Sequence, residues 1–145
     1  MPEKKASTLP NPSHIGLVVR DIDKTIEFLS SMWGLGPWQS FEYSPRQEEL
    51  TVGKPFRQIV AQAKLGTTAI ELVQQLEGGG PWPEFLKAKG EGLHHIAFII
   101  SNYEEMVAKL KAKGAKMVAG GLYQGKRWCY FATAPGGLVI ELGEE

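Results

Sequence analysis

The sequence predicts an α+β fold: two βαβββ units in tandem, joined into one pseudo-twofold domain whose curved, mostly antiparallel sheet surrounds a metal site. Two observations predict it. Sliding the chain against itself sets His14-Ile-Gly-Leu-Val-Val-Arg-Asp-Ile-Asp over His95-Ile-Ala-Phe-Ile-Ile-Ser-Asn-Tyr-Glu, and further on Gly66-Thr-Thr-Ala-Ile-Glu-Leu over Gly136-Gly-Leu-Val-Ile-Glu-Leu. Self-similarity of this kind marks a duplicated supersecondary unit. The units span about 12–77 and 92–145, with a linker over about 78–91, in a single domain 1–145.

Each copy opens with β-branched and apolar residues that end at a polar turn and pass into an amphipathic stretch, which reads as strand then helix. Asp21 and Ser101 stand as N-caps, placing Ile22, Ile26, Phe28 and Leu29 inward in the first helix and Met106, Val107 and Leu110 inward in the second. Gly114 stops the second helix. Extended segments follow at Trp38 to Tyr43, Arg57 to Leu65, Lys116 to Ala119 and Arg127 to Thr133, and each copy closes on its glutamate-bearing strand. The span from histidine to glutamate is longer in the first copy, positions 14 to 71 against 95 to 141, and the polar segment Ser44 to Pro55, ending in a proline, takes the excess as loop. Gly78-Gly-Gly-Pro-Trp-Pro joins the copies, with a short helix over Glu84 to Lys89.

Composition narrows the function. Hydrophobic residues make up 43% and charged residues 22%, with 16 basic side chains balancing 16 acidic ones, so neither nucleic acid nor an anionic membrane is an expected partner. No apolar run reaches the roughly 20 residues of a membrane span, and Met1-Pro-Glu-Lys-Lys-Ala-Ser-Thr lacks the apolar core of a signal peptide. A cytoplasmic location is the expectation. Cys129 is the sole cysteine, which excludes an intrachain disulfide and a sulfur-rich zinc site and leaves nitrogen and oxygen as ligands.

A glutamate within an apolar strand is costly to bury unless something pairs with it. That situation arises twice, at equivalent places. Alternation puts Glu71 on the face of Ala69 and Val73, and Glu141 beside Val139. Both repeats begin on a strand histidine. If the units pack about a pseudo-twofold axis, His14, Glu71, His95 and Glu141 converge on one point, and two imidazoles with two carboxylates suit one divalent ion of the zinc, cobalt, nickel, manganese or iron type. His94 reads differently: alternation turns it away from His95, and Ser13 stands in its place in the first copy, so it is a structural or supporting histidine.

The repeat and these four residues resemble the vicinal-oxygen-chelate superfamily of glyoxalases, bleomycin-resistance proteins and dioxygenases, from about Pro12 to Glu145. Pro83-Glu-Phe-Leu-Lys-Ala-Lys-Gly-Glu-Gly-Leu-His-His-Ile-Ala-Phe is most similar to the methylmalonyl-CoA epimerases. The resemblance places the metal ligands on the same four residues and implies an enolate formed next to a carbonyl and stabilised by the metal. Glu141 is the ligand that moves the proton. An epimerase needs a second proton carrier, and the resembling position falls on Gln58, which cannot take a proton. Glu48, Glu49 or Lys64 could supply the group. Trp38, Phe41, Tyr43, Trp128 and Tyr130 fall in pocket-lining segments that suit an apolar or ring-bearing substrate, and equally suit plain strand packing. The turn Ala132-Thr-Ala-Pro-Gly-Gly departs from the His-Pro-Lys turn of those epimerases.

The resemblance thus implies a metal-dependent isomerase or lyase of the methylmalonyl-CoA epimerase type, acting on a carbonyl or acyl-CoA substrate. The alternatives are a glyoxalase I-like lactoylglutathione lyase and a non-catalytic small-molecule binding protein of the bleomycin-resistance type. A dioxygenase is disfavoured because Glu71 fills a position that such enzymes leave open. A homodimer is expected, since half-barrels leave sheet edges to cover.

Overall fold

Strand alternation and helical periodicity together set out the architecture of the computed structural model, which describes residues 8–133 and 135–145. All but the last residue of the stretch read for a targeting signal, and Ala134 of the turn before the final strand, lie outside the described residues. Strand β1 (His14–Val18) leads into helix α1 (Ile22–Trp33). The Asp21 carboxylate accepts from the Lys24 amide at 3.0 Å and so caps the helix, which ends on Gly34 in the left-handed region at φ 68°. Ile22, Ile26 and Leu29, spaced at helical period, pack with Ala61 and Leu72. Phe28, expected inward, is 56% exposed. It lies two residues beyond Ile26, about 200° around the helix and so off the buried stripe.

The chain continues through β2 (Gln39–Tyr43), a 3-10 turn at Gln47–Glu49, β3 (Leu50–Val52), β4 (Arg57–Leu65), β5 (Thr68–Glu77), α2 (Pro81–Lys89) and β6 (Gly92–Ile100). Then follow α3 (Tyr103–Ala112), β7 (Lys116–Tyr123), β8 (Lys126–Ala132) and β9 (Val139–Glu144). Among the described residues nine strands form one curled sheet in the order β2-β4-β5-β1-β6-β9-β8-β7-β3. Outward from the antiparallel β1–β6 pair, each arm runs first strand, last strand, third strand, second strand of its repeat, so the pseudo-twofold axis passes between β1 and β6. The β1–β5 and β6–β9 pairs are parallel and the rest antiparallel.

Two local expectations change. The excess in the first copy is not all loop: β3 crosses to the far edge and pairs with β7 of the second unit, Leu50 opposite Gly121 and Val52 opposite Gly120. The two glycines permit the approach, since a Cβ on Gly121 would lie 2.6 Å from the Glu49 carbonyl oxygen. Helix α3 begins after Asn102 rather than Ser101, with no side-chain capping hydrogen bond, and its inward face meets Phe98, Phe131 and Leu142. Among the described residues no helix is long and apolar enough to cross a membrane.

Candidate metal centre

The two central strands and the two parallel strands beside them build the site. β1 supplies His14, β6 His95, β5 Glu71 and β9 Glu141, and all four side chains face into the cup. One donor atom from each lies within 4.8 Å of the others. His14 Nε2 stands 2.9 Å from Glu141 Oε2 and 3.4 Å from Glu71 Oε2. His95 Nε2 stands 3.3 Å from Glu141 Oε2, 3.5 Å from Glu71 Oε1 and 3.3 Å from His14 Nε2. An ion bound to nitrogen and oxygen at about 2.1 Å in a tetrahedral shell holds its donors about 3.4 Å apart. The spacing here fits such an ion, and the donor set is the borderline nitrogen and oxygen type that first-row divalent metals take.

Burial makes the group demanding. His95 is fully buried and His14 and Glu71 nearly so. Burial alone would push the His95 imidazole down, but hydrogen bonds to Glu141 and Glu71 outweigh it and leave His95 raised. His14 rises for the same reasons, with Glu141 as its hydrogen-bond partner, and Glu141 is held low by the two imidazoles against its own burial. Without a cation, the neighbouring carboxylates favour the protonated form of both imidazoles. A divalent ion would displace such protons.

His14, Glu71 and Glu141 line a cavity of about 240 Å³. Tyr43, Gln58, Trp128 and Tyr130 line it, as does Phe41. Trp38 does not: it packs on the α1 side of the sheet, where its indole N–H donates to Ser30 Oγ and the Leu35 carbonyl. Alternation explains the split, because Trp38 lies at odd spacing from Phe41 and Tyr43. The Gln58 side chain faces the cavity and donates to Gln75 at 3.0 Å. Glu48 and Glu49 are tied to Arg46 away from the cavity, and Lys64 is exposed.

Three contributors, Gln62, Gly16 and Trp82, were not read from the sequence. Gln62, across the ladder from Glu71, donates to its Oε2 at 2.6 Å. The signal was present, since Gln58 and Gln62 share one face of β4 with Val60. Gly16 pairs with His95, and a Cβ there would lie 2.0 Å from its Cε1, so the imidazole occupies the space a side chain would need. Trp82 of α2 closes one wall, its indole N–H 3.4 Å from the Tyr130 hydroxyl. Tyr43 reaches across from β2, donating to the Leu122 carbonyl at 2.6 Å and accepting from Trp128 at 2.8 Å. His94 also departs from expectation: the β1–β6 register shifts beside it, and its Nδ1 meets His95 Nδ1 at 3.0 Å.

A family model described as the Glyoxalase/Bleomycin resistance protein/Dioxygenase superfamily matches residues 13–133. The uncharacterized protein YqjC of Bacillus subtilis (strain 168) is 30% identical over 105 residues, which cover 72% of this chain and 68% of that one. Among solved structures, methylmalonyl-CoA epimerase from Mycobacterium tuberculosis superposes with a TM-score of 0.71 at 21% identity, covering 98% of this chain and 92% of that one. A variant of Streptomyces coelicolor methylmalonyl-CoA epimerase in complex with 2-nitronate-propionyl-CoA gives 0.64 at 24% identity, covering 95% and 99%. Hypothetical protein BH1468 from Bacillus halodurans C-125 gives 0.69 at 22% identity, covering 93% and 94%. These likenesses show the fold.

Proposed function

This chain belongs to the glyoxalase/bleomycin resistance protein/dioxygenase superfamily, and from that membership we propose that it is a metal-dependent isomerase or lyase acting on a small carbonyl compound, with methylmalonyl-CoA epimerase as the leading comparison. The observation that carries the reading is the convergence of two imidazoles and two carboxylates, three of the four lining one cavity. His14, Glu71, His95 and Glu141 would hold the ion. When bound, it would supply a Lewis acid for the negative charge that develops when a carbon next to a carbonyl loses its proton.

The chain's own groups divide the remaining work. Glu141 takes and returns the proton. Epimerisation needs a second carrier on the opposite face, and Gln58, with its amide hydrogen-bonded to Gln75, is not one. Glu144 lines the cavity but is held by Arg127 at 3.0 Å. Glu71 is then the other carboxylate at the reacting end. A proton shift between neighbouring carbons on one face needs only one carboxylate, so Gln58 favours the lyase alternative of the glyoxalase I type. Tyr43, Trp128 and Tyr130 would pack the apolar part of the substrate.

Solvent-deuterium exchange into methylmalonyl-CoA by the zinc- or cobalt-loaded protein tests the epimerase form, and absence of exchange removes it. Turnover of the methylglyoxal–glutathione hemithioacetal tests the lyase form. Stoichiometric metal in protein purified without added metal separates both from a non-catalytic binding protein. We further infer one cooperative domain, a cytoplasmic location and a homodimer. Phe28, Met32 and Trp33 of α1, exposed by 56%, 65% and 73%, support the last of these. Light scattering that returns a monomer mass would refute it.

A further inference from the structure

Two histidines stand in sequence on β6, yet only one faces the cluster of donors. In a regular strand their rings would point to opposite sides of the sheet. Here His95 pairs with Gly16 and Leu93 with Leu17, so His94 has no partner on β1 and forms a bulge. A bulge re-aims the side chain it carries. Both rings are buried, at 83° to each other with centroids 5.2 Å apart. The His94 ring is wedged between Phe85 of α2, at 5.0 Å, and Tyr130 of β8, at 5.7 Å.

Between the two Nδ1 atoms, 3.0 Å apart, one nitrogen must donate and the other accept. His95 has its Nε2 among the other three donor side chains. A neutral imidazole that offers Nε2 to a cation carries its proton on Nδ1 and needs an acceptor there. In the first unit the residue before the histidine does the same: Ser13 Oγ lies 3.4 Å from His14 Nδ1.

We propose that His94 is a positioning residue, the hydrogen-bond acceptor that keeps the His95 proton on Nδ1 and its Nε2 lone pair in the cluster, and that Ser13 serves His14 in the same way over a longer contact. Each unit thus carries its own support in the residue preceding its histidine. The second unit's is stronger, because the bulge and α2 hold it in place. Helix α2 acquires a part in the site through Phe85, although it supplies no donor to the cluster.

This proposal rests on the metal reading, and its test separates the two. Zinc affinity is measured by chelator competition for the whole chain and for H94F, H94N and S13A, with histidine-selective nitrogen-15 correlation spectra of each zinc-loaded protein. Phenylalanine keeps a ring at position 94 without an acceptor, whereas asparagine restores a carbonyl oxygen. We expect H94F to weaken zinc about 10–100-fold, H94N to recover most of that, and S13A to weaken it less. The unaltered protein should show His95 protonated at Nδ1 and His94 at Nε2. Wild-type affinity in a folded H94F, or His95 bound through Nδ1, overturns the proposal while leaving the metal site standing. If the unaltered chain binds no zinc, the metal reading fails and takes the proposal with it. Should H94F not fold, the tautomers in the unaltered protein decide.

Discussion

The two repeats supply the same donors but surround them differently. His95 is fully buried, seated against Gly16 and backed by a second imidazole; His14 retains 8% exposure and has a serine hydroxyl behind it. Glu71 receives a 2.6 Å hydrogen bond from Gln62 across its ladder, whereas Tyr130 occupies the matching place opposite Glu141 and sends its hydroxyl toward His95 at 3.5 Å. The first unit spends extra chain on β3, which leaves its own arm and seals the edge of the other. Duplication therefore accounts for the convergence of four donors. The departures from it make one half of the site a rigid seat and leave Glu141 2.9 Å from the more exposed histidine.

Removing a donor breaks this comparison most severely. H14A and H95A are each expected to lose stoichiometric metal, with affinity falling by more than the roughly 100-fold that outer partners contribute. Their effects on the metal-free fold should differ. H95A empties a fully buried position and is expected to cost about 2–3 kcal/mol, and H14A less. Elemental analysis with denaturant unfolding checks both, and equal stabilities would contradict the asymmetry of burial. Next in size is G16A. A methyl group there would force the His95 ring out of its seat, with an expected cost of about 1–3 kcal/mol and loss of metal. A97G, which alters the residue opposite His14, should cost about 0.5–1 kcal/mol and leave metal bound.

The contrast between those two substitutions shows what the sequence could convey. The repeated His and Glu positions, the βαβββ succession of elements in each copy and the inward face of β5 and β9 follow from period and spacing, since Glu71 shares its face with Val73 and Glu141 with Gly143 in the cavity wall. What depends on contacts between distant segments was not legible. Gly16 reads as an ordinary strand glycine until His95 is set against it. His94 obeys strand alternation on paper, and only the bulge brings its ring to His95. The run from Ser44 to Pro55 has the composition of a loop, and its short strand forms because Gly120 and Gly121 leave room on another arm. Phe28 was misplaced for a local reason, a helical stripe drawn too wide.

A smaller effect concerns pH. Below its ordinary value of 6.5, His95 is protonated in both folded and unfolded chains, and its contribution to metal-free stability is then complete. The contribution is lost as pH climbs through its raised folded value of about 9. Glu141 works in the opposite sense: its contribution is present above its ordinary value of 4.5 and lost as acid protonates it through its lowered folded value. Metal-free protein is therefore expected to unfold at its highest temperature between about pH 4.5 and 6.5 and to weaken toward pH 9. Saturating zinc should abolish the alkaline decline, because a bound cation replaces the protons. A thermal profile of the metal-free protein that is flat from pH 6 to pH 9 would show that the histidines do not carry those protons.

The smallest difference between the units lies in how their helices start. The Asp21 carboxylate caps α1 by accepting from Lys24, but Asn102 makes no side-chain capping bond to α3. D21A is therefore expected to cost about 1 kcal/mol, and N102A almost nothing, in matched denaturant titrations with unchanged slopes. Neither should alter zinc affinity, because both residues stand at the outer end of a strand–helix turn, away from the four donors. The pair thus serves as a control for the larger effects. If D21A weakened zinc as G16A is expected to, the site would depend on the stability of the first unit as a whole, and the seat that Gly16 provides for His95 would no longer be needed to explain the loss.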